Sequence, residues 1–328
     1  MLERAHFMRD STDMAADPFS DILRLTHAES VVTGGFSASA PWAIAFPASD
    51  KIKFFAVIRG SCWVSLEDES EPVSFETGDV GLLVAKRAYV LASELGVPPI
   101  DAMDLFSRAG RTTARIGDGR DFAHFGGHVL LDPVLGQLLL DVLPPWIHIH
   151  AASAYATTFR WLLEQLVMEQ ERKLPGTQLA SGQLAQLLFI QIVRAHLETA
   201  EEMPASWLRA LADPRIAPAI RLMHAEPARA WSLDSLAKVC AMSRTTFAEQ
   251  FKASAAVPPL TYLTQWRMRL ASLALRDEDT SFAALAESLG YASESAFSHA
   301  FKRCAGVSPK RFRATHTALR ANSKEGRP

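Results

Sequence analysis

Cysteine is scarce in this 328-residue sequence, and its three examples, Cys62, Cys240 and Cys304, stand far apart among apolar neighbours with no Cys-x-x-Cys pair. They read as reduced core thiols of a cytoplasmic protein and not as a disulfide framework. No window approaches the roughly 18 consecutive apolar residues of a membrane span. The opening Met1-Leu2-Glu3-Arg4-Ala5-His6 also lacks the apolar run of a secretory signal. Gly-rich phosphate loops and nucleophile elbows are missing, and no general acid/base pair stands in a defined context, which leaves the common enzyme motifs without support. An excess of one charge is missing too: 34 Lys and Arg face 36 Asp and Glu, for a net charge of -2.

What is present is apolar bulk and a segregated charge. With 48% hydrophobic residues, the chain is long enough for two cores, so two domains are expected. From Asp213 onward there are 17 Lys and Arg against 10 Asp and Glu, leaving 17 against 26 upstream. A basic module joined to an acidic one fits a polyanion-binding domain fused to something else, although a solvated basic face reads the same way before motifs are considered.

From about Ala43 to Val90, short β-favouring runs (Ala43 to Phe46, Phe54 to Ile58, Cys62 to Leu66, Val80 to Val84) alternate with turn signals at Gly60, the acidic Glu67 to Glu71 and Gly78-Asp79, which predicts a small barrel or sandwich. From Ala152 the period becomes helical, breaks at Pro175-Gly176, and resumes over Ser181 to Glu198. The second helix is apolar on most of its circumference, so it must bury more than one face, against the β domain alone or against a partner chain as well. Glu201-Glu202-Met203-Pro204 reads as a boundary, and the polar stretch after Arg320 as a frayed tail.

The C-terminal third repeats itself at an offset of 50. Ser243-x-x-x-Phe247-x-x-x-Phe251-Lys252 returns as Ser293-x-x-x-Phe297-x-x-x-Phe301-Lys302, and Val257-Pro258-Pro259 as Val307-Ser308-Pro309. In each copy a short helix (Ser232 to Val239, Ser281 to Ser288) leads through a tight connection to a serine able to cap the next helix. That is helix, turn, helix, twice. The phenylalanine pairs lie one turn apart and face inward, so Arg244, Thr245, Thr246, Glu249 and Lys252 project outward from the first copy, and Glu294, Ser295, Ser298, His299 and Lys302 from the second. Hydroxyl, imidazole and carboxylate groups on such a helix can read base edges in a major groove while Lys and Arg hold phosphates; for any one of these residues a solvated surface is the plain alternative. A long helix from Tyr262 to Leu275 would hold the units at a fixed separation.

Residues 215–313 resemble the DNA-binding domain of the AraC family of bacterial transcription regulators, on Trp231-Ser232-Leu233, Met242 to Phe247, Trp266-Arg267-Met268, Leu289-Gly290-Tyr291, Ser295 to Ser298 and Gly306 to Pro309. Pro41-Trp42, Gly60 to Trp63, Gly78-Asp79 and the run Trp207 to Ile216 are similar to the branch with a cupin-type N-terminal domain. The resemblance implies an α+β multidomain chain: a cupin-like β-barrel for effector binding (1–150), a helical dimerisation hairpin (151–202), a linker (203–214) and an all-α DNA-binding domain (215–320, with helix-turn-helix units at about 232–254 and 281–304); the polar composition of 321–328 adds a disordered tail. It implies a homodimer that binds operator DNA half-sites, answers to an unidentified small effector, and acts as an activator that contacts RNA polymerase; no cofactor and no membrane partner are expected. Two departures stand out: Ala256-Val257-Pro258-Pro259 replaces the family's Gly-x-Ser-Pro, so the turn there is expected to be reshaped, and Glu249 sits where a basic or polar reader is common.

Trp42, Phe54, Trp63 and Tyr89 are the candidates for an effector pocket, or else plain core. His148 and His150, at i and i+2, share a face and could ligate Zn or Fe, with His124 and His128 upstream. No acidic residue follows at a convincing spacing, so core or interface histidines are the expectation, with no metal site and no catalytic residue. The rival readings are a metal-dependent cupin enzyme using His148 and His150, and a constitutive DNA-binding protein with a structural barrel.

Overall fold

The computed structural model describes residues 17–69, 71–84, 86–107, 113–172, 174–199, 203–276 and 280–315. The tail expected at 321–328 and the boundary residues Glu201 and Glu202 lie outside them. Two compact units result, one spanning 26–202 and the other joining the N-terminal residues up to Leu25 to Met203 and beyond. No helix among the described residues is long and apolar enough to cross a membrane.

In chain order, α1 (Pro18–Leu25) precedes the strands β1 (Glu29–Ala38), β2 (Ala43–Phe46), β3 (Ile52–Arg59), β4 (Ser61–Leu66), β5 (Val73–Glu76), β6 (Val80–Leu83), β7 (Tyr89–Ala92) and β8 (Ile100–Asp101). Then come α2 (Ala102–Ser107), β9 (Thr113–Ile116), β10 (Phe122–Leu130), α3 (Gln137–Leu140), β11 (Trp146–Ile149) and the hairpin α4 (Ala156–Arg172) and α5 (Thr177–Thr199). The second unit continues with α6 (Trp207–Ala212), α7 (Ala217–Ala225), α8 (Leu233–Val239), α9 (Arg244–Ala255), α10 (Pro259–Ala274), α11 (Phe282–Ser288) and α12 (Glu294–Ala305).

The strands form two sheets, one ordered β11-β6-β3-β10-β1-β9 and the other β5-β4-β7-β2-β8. The sheets are not closed into the barrel expected from the sequence, because among the described residues the end strands of each carry no ladder to the other sheet; the arrangement is the sandwich alternative. Period-two alternation decides what lies between them: Phe36, Phe55, Val57 and Phe122 from one sheet meet Ile44, Cys62, Val64, Phe75, Tyr89 and Leu91 from the other. The outer face of the six-stranded sheet is covered by α5, which packs on β1, β6 and β11 and buries Leu188, Phe189, Ile192 and Val193. Gln186 fixes this docking by accepting hydrogen bonds from the backbone N–H and hydroxyl of Ser30, at 3.0 and 2.9 Å.

The second unit differs from the expected division at both ends. α1 packs on α6 and α7, burying Phe19, Ile22 and Leu23, and its Asp21 carboxylate lies 3.4 Å from His224 Nδ1. His224 also stacks on Trp266 at 3.7 Å and sits 2.8 Å from the Tyr262 hydroxyl. The stretch expected to be a linker holds α6, whose Trp207 and Leu208 are buried, whose N-cap Ser206 donates its N–H to Ser254 O, and which packs on α9. An apolar helix with these partners belongs to the helical core.

Candidate nucleic-acid interface

Both helix-turn-helix units are built as the repeat predicts. The hydroxyls of Ser232, Ser243, Ser281 and Ser293 cap α8, α9, α11 and α12, each accepting from the backbone N–H three residues on. Phe247, Phe251, Phe297 and Phe301 are fully buried, and the last two join Met268, Leu275, Leu285 and Leu289 in one core. The turn after α9 is not reshaped. Ala256 takes the same left-handed conformation (φ 66°) that Gly306 takes after α12 (φ 75°). A Cβ costs about 1–2 kcal/mol there, so exposed Ala256→Gly is expected to stabilise the helical unit by about 1 kcal/mol, read as a calorimetric midpoint raised by a few degrees; an unchanged or lowered midpoint contradicts the strain.

Nine of the ten predicted readers, Arg244, Thr245, Thr246, Glu249, Lys252, Glu294, Ser295, His299 and Lys302, are exposed, and Ser298 is partly so. All lie on α9 or α12, most in the first two turns. The Thr246 hydroxyl is already engaged, 2.8 Å from the capping Ser243 hydroxyl. Among the described residues no ion pair occupies Arg244, Lys252 or Lys302, which leaves these cations available to an outside anion.

Two contacts that the sequence does not announce hold the copies in register. Arg267 on α10 donates to Pro227 O (2.6 Å) and Arg229 O (2.9 Å), ahead of the first copy, while its guanidinium lies over Tyr291 of the second at 5.6 Å. Gly290, in the turn of the second copy, has φ 77° and presses its Cα face against the backbone of Ala228.

In the 26–202 unit, the four effector candidates do not converge. Trp42 and Tyr89 lie between the sheets, but Phe54 and Trp63 belong to the opposite faces of β3 and β4, and alternation places Phe55 and Cys62 inward instead. Burial raises the Cys62 thiol to about 12, so it is inert. His124, named from the sequence only as an upstream companion of His148 and His150, lies apart from them, among the rings between the sheets. It stacks against Phe36 (5.0 Å) and Phe55 (5.7 Å), and both its ring nitrogens are buried without a hydrogen-bond partner among the described residues. Burial pushes it down to about 3, so it is neutral. On the same face Lys53 lies 5.4 Å from the Tyr89 ring, its pKa lowered by burial and then by Lys51.

His148 and His150 meet an acid after all. The Gly78-Asp79 turn, with Gly78 at φ 93°, precedes β6, and β6 pairs with β11 so that Asp79 reaches both imidazoles: His148 Nε2 is 2.9 Å and His150 Nδ1 3.8 Å from its Oδ2. His148 is nevertheless held below its usual pKa, first by burial, with the Asp79 hydrogen bond opposing.

Among known proteins, a cupin family model matches residues 17–198 and a helix-turn-helix domain model matches 236–315. An AraC-like transcription regulator of Streptomyces antibioticus is 38% identical over 297 residues, 90% of this chain and 98% of that protein. The transcriptional regulator AlkR of Acinetobacter baylyi is 33% identical over 282 residues, 83% and 90% of the two chains. The DNA-binding domain of AdpA, solved with a target DNA, aligns to 33% of this chain and 97% of its own at 28% identity and a TM-score of 0.31. These relatives are regulators and not enzymes. With a cupin domain ahead of its paired helix-turn-helix units, the chain belongs to the AraC-like family of DNA-binding transcription regulators.

Proposed function

We propose that this regulator works in the cytoplasm as a homodimer, activates transcription through contact with RNA polymerase, and is governed by a small effector held between the sheets of the 26–202 unit. The observation that carries its DNA contacts is the pair of exposed polar faces on α9 and α12, set on one frame by α10 and Arg267. Arg244, Lys252 and Lys302 hold phosphates, while Thr245, Glu249, Ser295, Ser298 and His299 face base edges; the Glu249 carboxylate suits a cytosine amino group. Glu294 and Thr246 serve chiefly the helix starts.

Effector control rests on His124, whose two unpartnered ring nitrogens cost stability unless something hydrogen-bonds to them, and on Lys53, a half-buried cation without an acidic partner among the described residues. Binding there would shift the populations of DNA-competent states. Dimerisation rests on the hairpin, where Trp161, Leu179 and Leu187 remain exposed at 52%, 70% and 37%.

With both helices on one face of the duplex, the half-sites stand about 10–10.5 bp apart. A footprint on DNA beside the gene should show two protected major-groove segments at that spacing, and inserting roughly 5 bp between them should abolish joint protection. Undiminished protection after the insertion contradicts the two-helix reading. Identical binding with every metabolite tried favours the constitutive alternative.

A further inference from the structure

The cluster that the DNA-binding function leaves unused is Asp79, His148 and His150. One carboxylate oxygen and two imidazole nitrogens lie within 4.8 Å of one another, drawn from a turn and a strand that are 69 positions apart in sequence. We propose that these three side chains bind a divalent transition-metal ion of the Zn2+ class.

The donor set is the first reason. Imidazole and carboxylate together suit Zn2+, and three protein ligands with one open position are the pattern of a site that exchanges its metal or its fourth ligand. Geometry is the second. Ligand atoms around a tetrahedral ion at about 2.1 Å stand about 3.4 Å apart. The two measured separations from Asp79 Oδ2, 2.9 and 3.8 Å, bracket that distance, so small side-chain rotations place all three on one ion.

The third reason is what stands behind the ligands. Asp79 Oδ1 accepts the Ala151 N–H at 2.7 Å, which turns Oδ2 towards the histidines; Oδ2 also accepts a longer bond from the Glu76 N–H at 3.2 Å. The His148 ring is stacked on Phe75 at 3.8 Å with 16° between planes, so its orientation is set before any ion arrives. Supporting contacts of this kind fix first ligands in metal sites and reduce the reorganisation that binding costs. Asp79 and His148 are 5% and 10% exposed, whereas His150 is 71% exposed, so an ion enters from the His150 side and keeps a solvent-facing position.

The location gives the site a regulatory consequence. His150 and Ala151 form the step from β11 into the turn that begins α4, with Ser153 donating its N–H to His150 O. An ion that recruits His150 therefore fastens the root of the helical hairpin to the sheet. That consequence rests on the regulator reading, but metal binding does not, and the two fail separately because the test below uses no DNA.

The purified full-length protein, stripped with chelator and free of any affinity tag, is titrated with Zn2+ against a chromophoric chelator, and in parallel with Co2+ followed by its visible absorption. A single equivalent is expected, with a tetrahedral Co2+ spectrum. His150→Ala should weaken Zn2+ by more than the roughly 100-fold that loss of a partner behind a ligand costs, and because His150 is exposed this variant keeps its circular dichroism and midpoint. Asp79→Asn should lose the metal as well, while the double variant Cys240→Ser/Cys304→Ser should keep it. The proposal is overturned if the wild-type chain binds no stoichiometric Zn2+, if His150→Ala binds as tightly as wild type, or if the cysteine variant is the one that loses the metal.

Discussion

Gly290→Ala should cost the helical unit about 3 kcal/mol and lower its thermal midpoint by about 10 °C or more. Two effects combine. At φ 77° any Cβ is strained, by about 1–2 kcal/mol. That Cβ would also lie 2.1 Å from the carbonyl oxygen of Ala228, an atom of backbone that cannot rotate away. The turn of the second helix-turn-helix must then back off from the loop before the first, and Arg267, which donates to Pro227 and Arg229 in that loop, loses its geometry. Because each copy keeps its own phenylalanine pair, helical content should persist while joint occupancy of two half-sites is lost. Gly306→Ala is the control: its φ is 75° but nothing lies within 4 Å of the added Cβ, so only the conformational cost of about 1 kcal/mol remains. Equal midpoints for the two variants, measured calorimetrically, contradict the close approach at Gly290.

The 26–202 unit should weaken steeply in mild acid. His124 titrates near 6.5 when the chain is unfolded, but burial holds it down to about 3 in the folded state. Its stabilising contribution is therefore complete above pH 6.5 and is lost as pH falls below that value, because the unfolded chain takes up the proton and the folded one does not. Between pH 6.5 and about pH 5 the loss amounts to about 2 kcal/mol. His128 and His196, both lowered first by burial, add to the slope in the same direction. His124→Phe keeps the stack on Phe36 and Phe55 and removes the orphaned nitrogens, so urea unfolding of this variant should lose about 2 kcal/mol less over that interval. Parallel pH profiles for variant and wild type contradict the neutral buried imidazole.

The helix-turn-helix pair was legible because its signals are local: a capping serine, two phenylalanines one turn apart, and a copy of both fifty residues on. What the sequence concealed is non-local. The run Phe54-Phe55-Ala56-Val57 is apolar on both sides, so its period cannot say which ring points between the sheets, and the effector candidates split accordingly. Asp79 reaches His148 and His150 only through the pairing of β6 with β11. The amphipathic α1 reads as a plausible start to the β domain, yet its apolar face and Asp21 find α7 and His224 in the helical unit. An αL alanine at 256 kept a turn that composition alone suggested was altered, because the packed helices on either side outweigh about 1–2 kcal/mol of local strain.

The central claim is that α9 and α12 read DNA. Its most direct test is binding of the purified chain to the intergenic DNA beside its gene across about 50 to 200 mM salt, comparing wild type with Ser298→Ala/His299→Ala and Lys302→Ala. Affinity is expected to fall with salt, the double variant to bind but no longer prefer the operator over unrelated DNA, and Lys302→Ala to bind every sequence more weakly with a salt slope shallower by about one. Wild-type sequence preference in the Ser298/His299 double variant, with the salt slope unchanged by Lys302→Ala, would contradict it.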